Sequence, residues 1–186
     1  MQQELPAKDE AMTEDLISQP FPVIHGFYLN MNTEEFDVAL KNLQTKHAGS
    51  IVKNFDVDGE HWVVLYSSRD AIYTKFNWYT TRGIFRAKKH PERDAYCEFT
   101  FSARHIFKVD STSIEAFAEM FNKAYGTSIT VREQTVRNRK EKTSSAYDDE
   151  CCITINNRLE WPSTYIIYET SENMIWRLNK PKPDFS

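Results

Sequence analysis

Two capped amphipathic segments, each followed by a run of strand-like segments, constrain this chain's fold more than any other feature. The first spans about 33–46. Asn32 has an N-capping side chain, and Glu35 stands three residues on, at capping-box spacing. Met31 and Phe36 have the spacing of a hydrophobic staple. Phe36, Ala39, Leu40 and Leu43 form one apolar stripe. Lys46 and His47 suit the negative end of a helix, and Gly49 marks its stop. The second segment runs from about 113 to 125. Thr112 and Glu115 have capping-box spacing, Ile114, Phe117, Ala118, Phe121 and Tyr125 make the stripe, and Gly126 suits the C-terminal cap.

After the first helix, 51–57 and 60–67 flank Asp58-Gly59, a two-residue hairpin signal. Ile51, Lys53, Phe55 and Val57 share one face of the first strand, and Trp62, Val64 and Tyr66 alternate on the second. Further strands are expected at 71–80, 84–88, 95–102 and 105–109, with a turn at Arg82-Gly83 and a loop over 90–94. After the second helix, strands are expected at 129–136, 151–156, 164–169 and 174–178. Turns separate the last three at 161–163 and 171–173, and the polar stretch 137–150 reads as a long loop or hairpin tip.

Adjacent strands without intervening helices imply antiparallel meanders. The expected fold is therefore α+β: two helix-plus-antiparallel-meander units, forming one sheet layer with helices on one face. Residues 1–19 read as a flexible acidic arm, carrying Glu4, Asp9, Glu10, Glu14 and Asp15. Residues 20–186 read as a single domain, with sub-units 20–110 and 111–186. A diverged tandem repeat fits this order, although no residue-level repeat aligns. Hydrophobic residues make up 40% of the chain, enough for a core, and aromatics 13%, mostly in strand-like segments. A net charge of -4 opposes bulk nucleic-acid affinity but leaves local basic patches open. The first ten residues lack an apolar stretch and no long apolar run follows, so neither a secretory signal nor a membrane span is expected. Cys97, Cys151 and Cys152 have no disulfide spacing and suggest reduced thiols in the cytoplasm. A periplasmic or secreted location would require a signal removed beforehand.

The segment 25–36, His25-Gly-Phe-Tyr-Leu-Asn-Met-Asn-Thr-Glu-Glu-Phe36, resembles the opening of SmpA/OmlA-like lipoproteins and β-lactamase-inhibitor-protein-like domains. In those families a helical start precedes an antiparallel sheet, and the inhibitor proteins repeat the unit twice. Asn30 stands where their glycine is usual, and the lipoprotein signal and lipidated cysteine are missing. The resemblance implies a binding or scaffold module and assigns no functional residues.

Asn54-Phe-Asp56-Val-Asp58-Gly59 imitates half of a calcium loop, but Leu65 occupies the twelfth position, where a bidentate carboxylate is needed. None of the five histidines has zinc-ligand spacing. No metal or cofactor is expected, and no nucleotide-binding or hydrolase motif occurs. Cys97 with His105 would make a nucleophile pair only if the fold joined them and lowered the thiol pKa. Two basic stretches remain. Arg82, Arg86, Lys88, Lys89 and Arg93 lie near Trp78, Tyr79 and Phe85; Arg132, Arg137, Arg139, Lys140 and Lys142 form the second. Such groups suit solvated turns, an acidic protein partner, or phosphates with stacked bases. The candidate binding residues are Trp62, Tyr66, Trp78, Tyr79, Arg82, Arg86, Lys88, Lys89, Arg139 and Lys140. The function they favour is non-enzymatic protein binding of inhibitor, immunity or adaptor type. A nucleic-acid accessory protein using 82–93 and 132–142, or a small enzyme with a dispersed site, are the alternatives.

Overall fold

The computed structural model describes residues 21–69, 83–109, 113–136, 139–147, 150–157 and 164–179, with backbone alone at 133–136, 139–147 and 156–157. Its elements follow the expected order with a few exceptions. Helix α1 (Thr33–Lys46) precedes β1 (Ser50–Val57), β2 (Glu60–Ser67), β3 (Phe85–Lys89) and β4 (Tyr96–Ser102). A π-helical turn (Ala103–Phe107) leads to α2 (Ile114–Tyr125), then β5 (Thr130–Val136), β6 (Arg139–Tyr147), β7 (Cys151–Asn157) and β8 (Tyr165–Thr170). Helix α3 (Ser171–Asn179) follows directly.

The eight described strands form one antiparallel sheet in the order β1-β2-β3-β4-β8-β7-β6-β5. The last strands of the two meanders therefore meet in the middle, with Glu98 opposite Glu169 and Phe99 opposite Tyr168. The α+β expectation holds, and a single apolar cluster runs through both halves.

Local chemistry accounts for the elements. Asn32 and Glu35 form the reciprocal capping box of α1, each side chain bonded to the other's backbone N–H. In α2 the capping residue is Ser113 rather than Thr112; its hydroxyl accepts from the Ala116 N–H at 3.2 Å. Asp58 and Gly59 have φ of 52° and 78°, the left-handed pair that joins β1 to β2 in a tight hairpin. Ahead of α1, Ile24 and Phe27 close a small hairpin that drives Phe27 into the core, stacked 4.5 Å from Phe85. Phe36 lies 3.8 Å from Tyr96, and Phe107 meets Phe117, Phe121 and Tyr125 within 6.3 Å. Thus α1 and α2 cover one face of the sheet with aromatic rings.

Several expectations fail. The 105–109 strand is the π-helical turn: Ala103, Ile106 and Phe107 are buried at helical spacing, which carries Phe107 off the sheet and under α2. The 137–150 loop is mostly β6, which lacks an apolar alternation and is held by backbone pairing to both β5 and β7. The 174–178 strand and its preceding turn are α3. Thr170 Oγ1 accepts from the Asn173 N–H at 3.1 Å, the capping contact that starts a helix there. Helices also occupy both faces of the sheet, because α3 reaches Glu98 and Glu169 on the face opposite Phe99 and Tyr168. The strand expected at 71–80 lies outside the described residues.

Candidate functional site

On that second face, pairing aligns one row of side chains across five strands. Trp62 on β2 stands opposite Lys88 on β3, Lys88 opposite Glu98 on β4, Glu98 opposite Glu169 on β8, and Glu169 opposite Cys152 on β7. A bulge at Lys88/Lys89 sets the row's geometry. Tyr96 and Phe99 both stack near Phe36, so the intervening Cys97 and Glu98 turn together to the second face.

Helix α3 lies across the middle of this row. The Asn173 Nδ2 group donates to Glu98 Oε2 at 3.1 Å and to Glu169 Oε2 at 2.7 Å, so one amide bridges two buried carboxylates. One turn on, Arg177 grips Glu169 with Nη2 at 2.6 Å from Oε1 and Nε at 3.1 Å from Oε2. Lys88 Nζ stands 3.9 Å from Glu98 and 4.1 Å from the Trp176 ring of α3. Arg86 lies over the Trp62 ring at 4.8 Å, donates to Thr100 Oγ1 at 3.4 Å, and stands 3.8 Å from Glu98. Two thiols sit beneath the start of α3. Cys97 Sγ is 3.6 Å from Asn173 Oδ1, and Cys152 Sγ is 3.7 Å from the Ser171 hydroxyl.

Burial governs the electrostatics. It raises the Glu169 carboxyl above its usual range; Arg177 opposes that shift and Glu98 adds to it. Burial pushes the Cys97 thiol up to about 12 against the pull of Lys88, and the Tyr66 phenol up to about 12 against the pull of Arg86.

Of the ten predicted site residues, Trp62, Tyr66, Arg86 and Lys88 come together here. Trp62, Tyr66 and Lys88 are buried rather than exposed for contact. Lys89 turns away and pairs with Asp94 at 3.1 Å. Arg139 and Lys140 stand opposite Val136 and Thr135 in the β5–β6 pair, and only their backbone is described. Trp78, Tyr79 and Arg82 lie outside the described residues.

Each described cation of the first basic stretch faces a carboxylate. Arg86 and Lys88 face Glu98, Lys89 faces Asp94, and Arg93 lies 3.3 Å from Glu172. Cys97 and His105 do not form a pair. Cys97 stands at the start of β4, whereas His105 lies beyond its other end, 2.9 Å from the Ser102 hydroxyl. Among the described residues no three His, Cys, Asp or Glu side chains gather as metal ligands.

Sequence reading missed the Glu98–Glu169 pair. Its signal was present: Tyr-Cys-Glu-Phe-Thr-Phe and Tyr-Ile-Ile-Tyr-Glu-Thr each place one carboxylate in an otherwise apolar or aromatic strand. Buried Glu demands partners. Asn173, Trp176 and Arg177 carry no such signal, because 171–178 reads in sequence as a turn and a strand.

Comparison with family models, curated proteins and solved structures found no match to this chain. No described helix is long and apolar enough to cross a membrane.

Proposed function

We propose that this protein is a non-catalytic binding module that engages a protein partner through α3 and the adjoining sheet face. The observation that carries this reading is the reversed polarity of α3. Asn173 and Arg177 turn inward to the carboxylates, whereas Ile175, Trp176 and Leu178 are 57%, 45% and 67% exposed. Large apolar side chains displayed around one short helix suit burial by a partner's apolar surface, with the aromatic ring as anchor. The carboxylates facing Arg86, Lys88, Lys89 and Arg93 favour this over phosphate binding by the first basic stretch.

Two further observations support a scaffold related to the inhibitor-like domains. Among the described residues each half runs helix, then four antiparallel strands, and the two sets join through their final strands. We read this as a diverged duplication. Asn30, standing where the resembled opening has glycine, takes a φ of 68°, the left-handed conformation that glycine favours.

The test is affinity capture with the full chain beside an Ile175→Asp/Leu178→Asp variant, followed by calorimetry with each purified candidate. Specific binding by the parent that falls at least tenfold in the variant supports the reading. Equal binding by both removes α3 from the interface and overturns it.

A further inference from the structure

Helix α3 differs from α1 and α2 in what holds it. None of its side chains belongs to the apolar cluster that fills the other face. Its attachment is largely polar: the Asn173 bridge, the Arg177 fork and the Lys88–Trp176 contact, with Glu172 facing His90 and Arg93 and the Ser171 N–H bonded to the Glu150 carbonyl. It has nine residues, too few for a stable isolated helix. It follows β8 without a loop, so bending is confined to the Thr170–Ser171 junction. Lifting it would leave Ile175 and Leu178 as exposed as they already are, so the apolar surface newly given to water on the helix is confined to Met174 and the covered part of Trp176. The same motion would give water to Lys88, Glu98 and Glu169, all buried when α3 is closed. Glu98 Oε1 finds no hydrogen-bond donor among the described residues, so hydration would offset part of the lost attachment.

We propose that α3 is a strap that lifts while the rest of the fold stays closed, uncovering the recessed row Lys88, Glu98 and Glu169. The open state presents a charged strip across the centre of the sheet; the closed state presents the apolar side of α3 instead. This inference is independent of the partner reading, and its test requires no partner.

The cysteines report the motion. Cys97 and Cys152 lie beneath the start of α3, whereas the neighbouring Cys151 sits in the apolar cluster on the opposite face. The full-length protein is treated with N-ethylmaleimide under native conditions, and each thiol is followed by mass spectrometry across low urea concentrations. Strap opening predicts that Cys97 and Cys152 label at least about tenfold faster than Cys151, with weaker urea dependence, as local opening exposes less surface than unfolding. Asn173→Ala/Arg177→Ala should accelerate Cys97 and Cys152 by a further factor of about ten, leaving Cys151 unchanged. One common rate and urea dependence for all three thiols would mean that α3 leaves only on global unfolding and would overturn the proposal. If the double variant does not fold by circular dichroism, the three rates in the unsubstituted protein decide alone.

Discussion

The two faces of the sheet solve the same problem by opposite means. Under α1 and α2, aromatic rings meet rings: Phe27, Phe36, Phe85, Tyr96 and Phe99 form one connected stack. Under α3, carboxylates meet an amide, guanidinium groups and an ammonium. The first arrangement draws on dispersion and removal of apolar surface from water, which tolerate small changes in angle. The second draws on directional bonds and on charges that repay desolvation only while every partner is present. The ring face should therefore set global stability, and the charged face should set what moves.

The largest expected effect comes from the ring face. Phe99 is fully buried and touches rings from α1, β3 and β8. Phe99→Ala should cost about 3–5 kcal/mol of global stability, seen as a lower urea midpoint. A loss below about 1 kcal/mol would break the contrast. Next is Lys88→Met, which leaves the buried Glu98 carboxylate with Asn173 and a guanidinium 3.8 Å away. Breaking a buried pair in this way costs about 3 kcal/mol, whereas Lys88→Met/Glu98→Leu should recover most of it. A double-mutant cycle with coupling under about 0.5 kcal/mol would show that the two groups act independently.

A smaller effect depends on pH. Glu169 is raised in the closed protein by burial, against Arg177 and with Glu98. A carboxyl raised in the folded state contributes most below its unfolded value and loses that contribution as pH rises through its folded value. The groups acting on it are Arg177 and Asn173 on α3 and Glu98 on β4, with Cys97 on β4 electrostatically coupled to it and Cys152 opposite on β7; Lys88 and Arg86 reach it only through Glu98. Closure of α3 should weaken as pH climbs above the ordinary carboxyl range. Hydrogen exchange of 171–179, corrected for intrinsic rates, measures it. Glu169→Gln should flatten the profile; a profile that stays steep assigns the response elsewhere.

The ring face was legible in the sequence, because its side chains announce themselves by period. Phe36, Ala39, Leu40 and Leu43 in α1, and Ile114, Phe117 and Phe121 in α2, are buried as their stripes require. The charged face was much less legible. As residue types Trp62, Arg86 and Lys88 favour contact with solvent or partners, and only strand pairing shows that Glu98 faces Lys88. The bulge that turns Cys97 and Glu98 to one side breaks the alternation on which strand reading depends. In α3, Met174, Trp176 and Leu178 alternate like a strand, while the helical pair Asn173 and Arg177 is polar and carries no hydrophobic signal. β6 was missed for the related reason that backbone pairing has no side-chain signature.

The smallest expected effect on stability is also the most discriminating. Ile175 and Leu178 are apolar, yet they stand mostly in solvent on α3. Were α3 an ordinary amphipathic helix, replacing both with Asp would empty its packing face and cost several kcal/mol. With its attachment made by Asn173 and Arg177 instead, Ile175→Asp/Leu178→Asp should shift stability by no more than about 0.5 kcal/mol per site. The comparison is Asn173→Ala, which removes the amide shared by two buried carboxylates and should cost about 1–3 kcal/mol. Both are read from urea midpoints, with exchange over 171–179 separating local from global loss. If the two outward substitutions cost more than the inward one, α3 is held by apolar packing after all, and the contrast between the faces fails at its most exposed point.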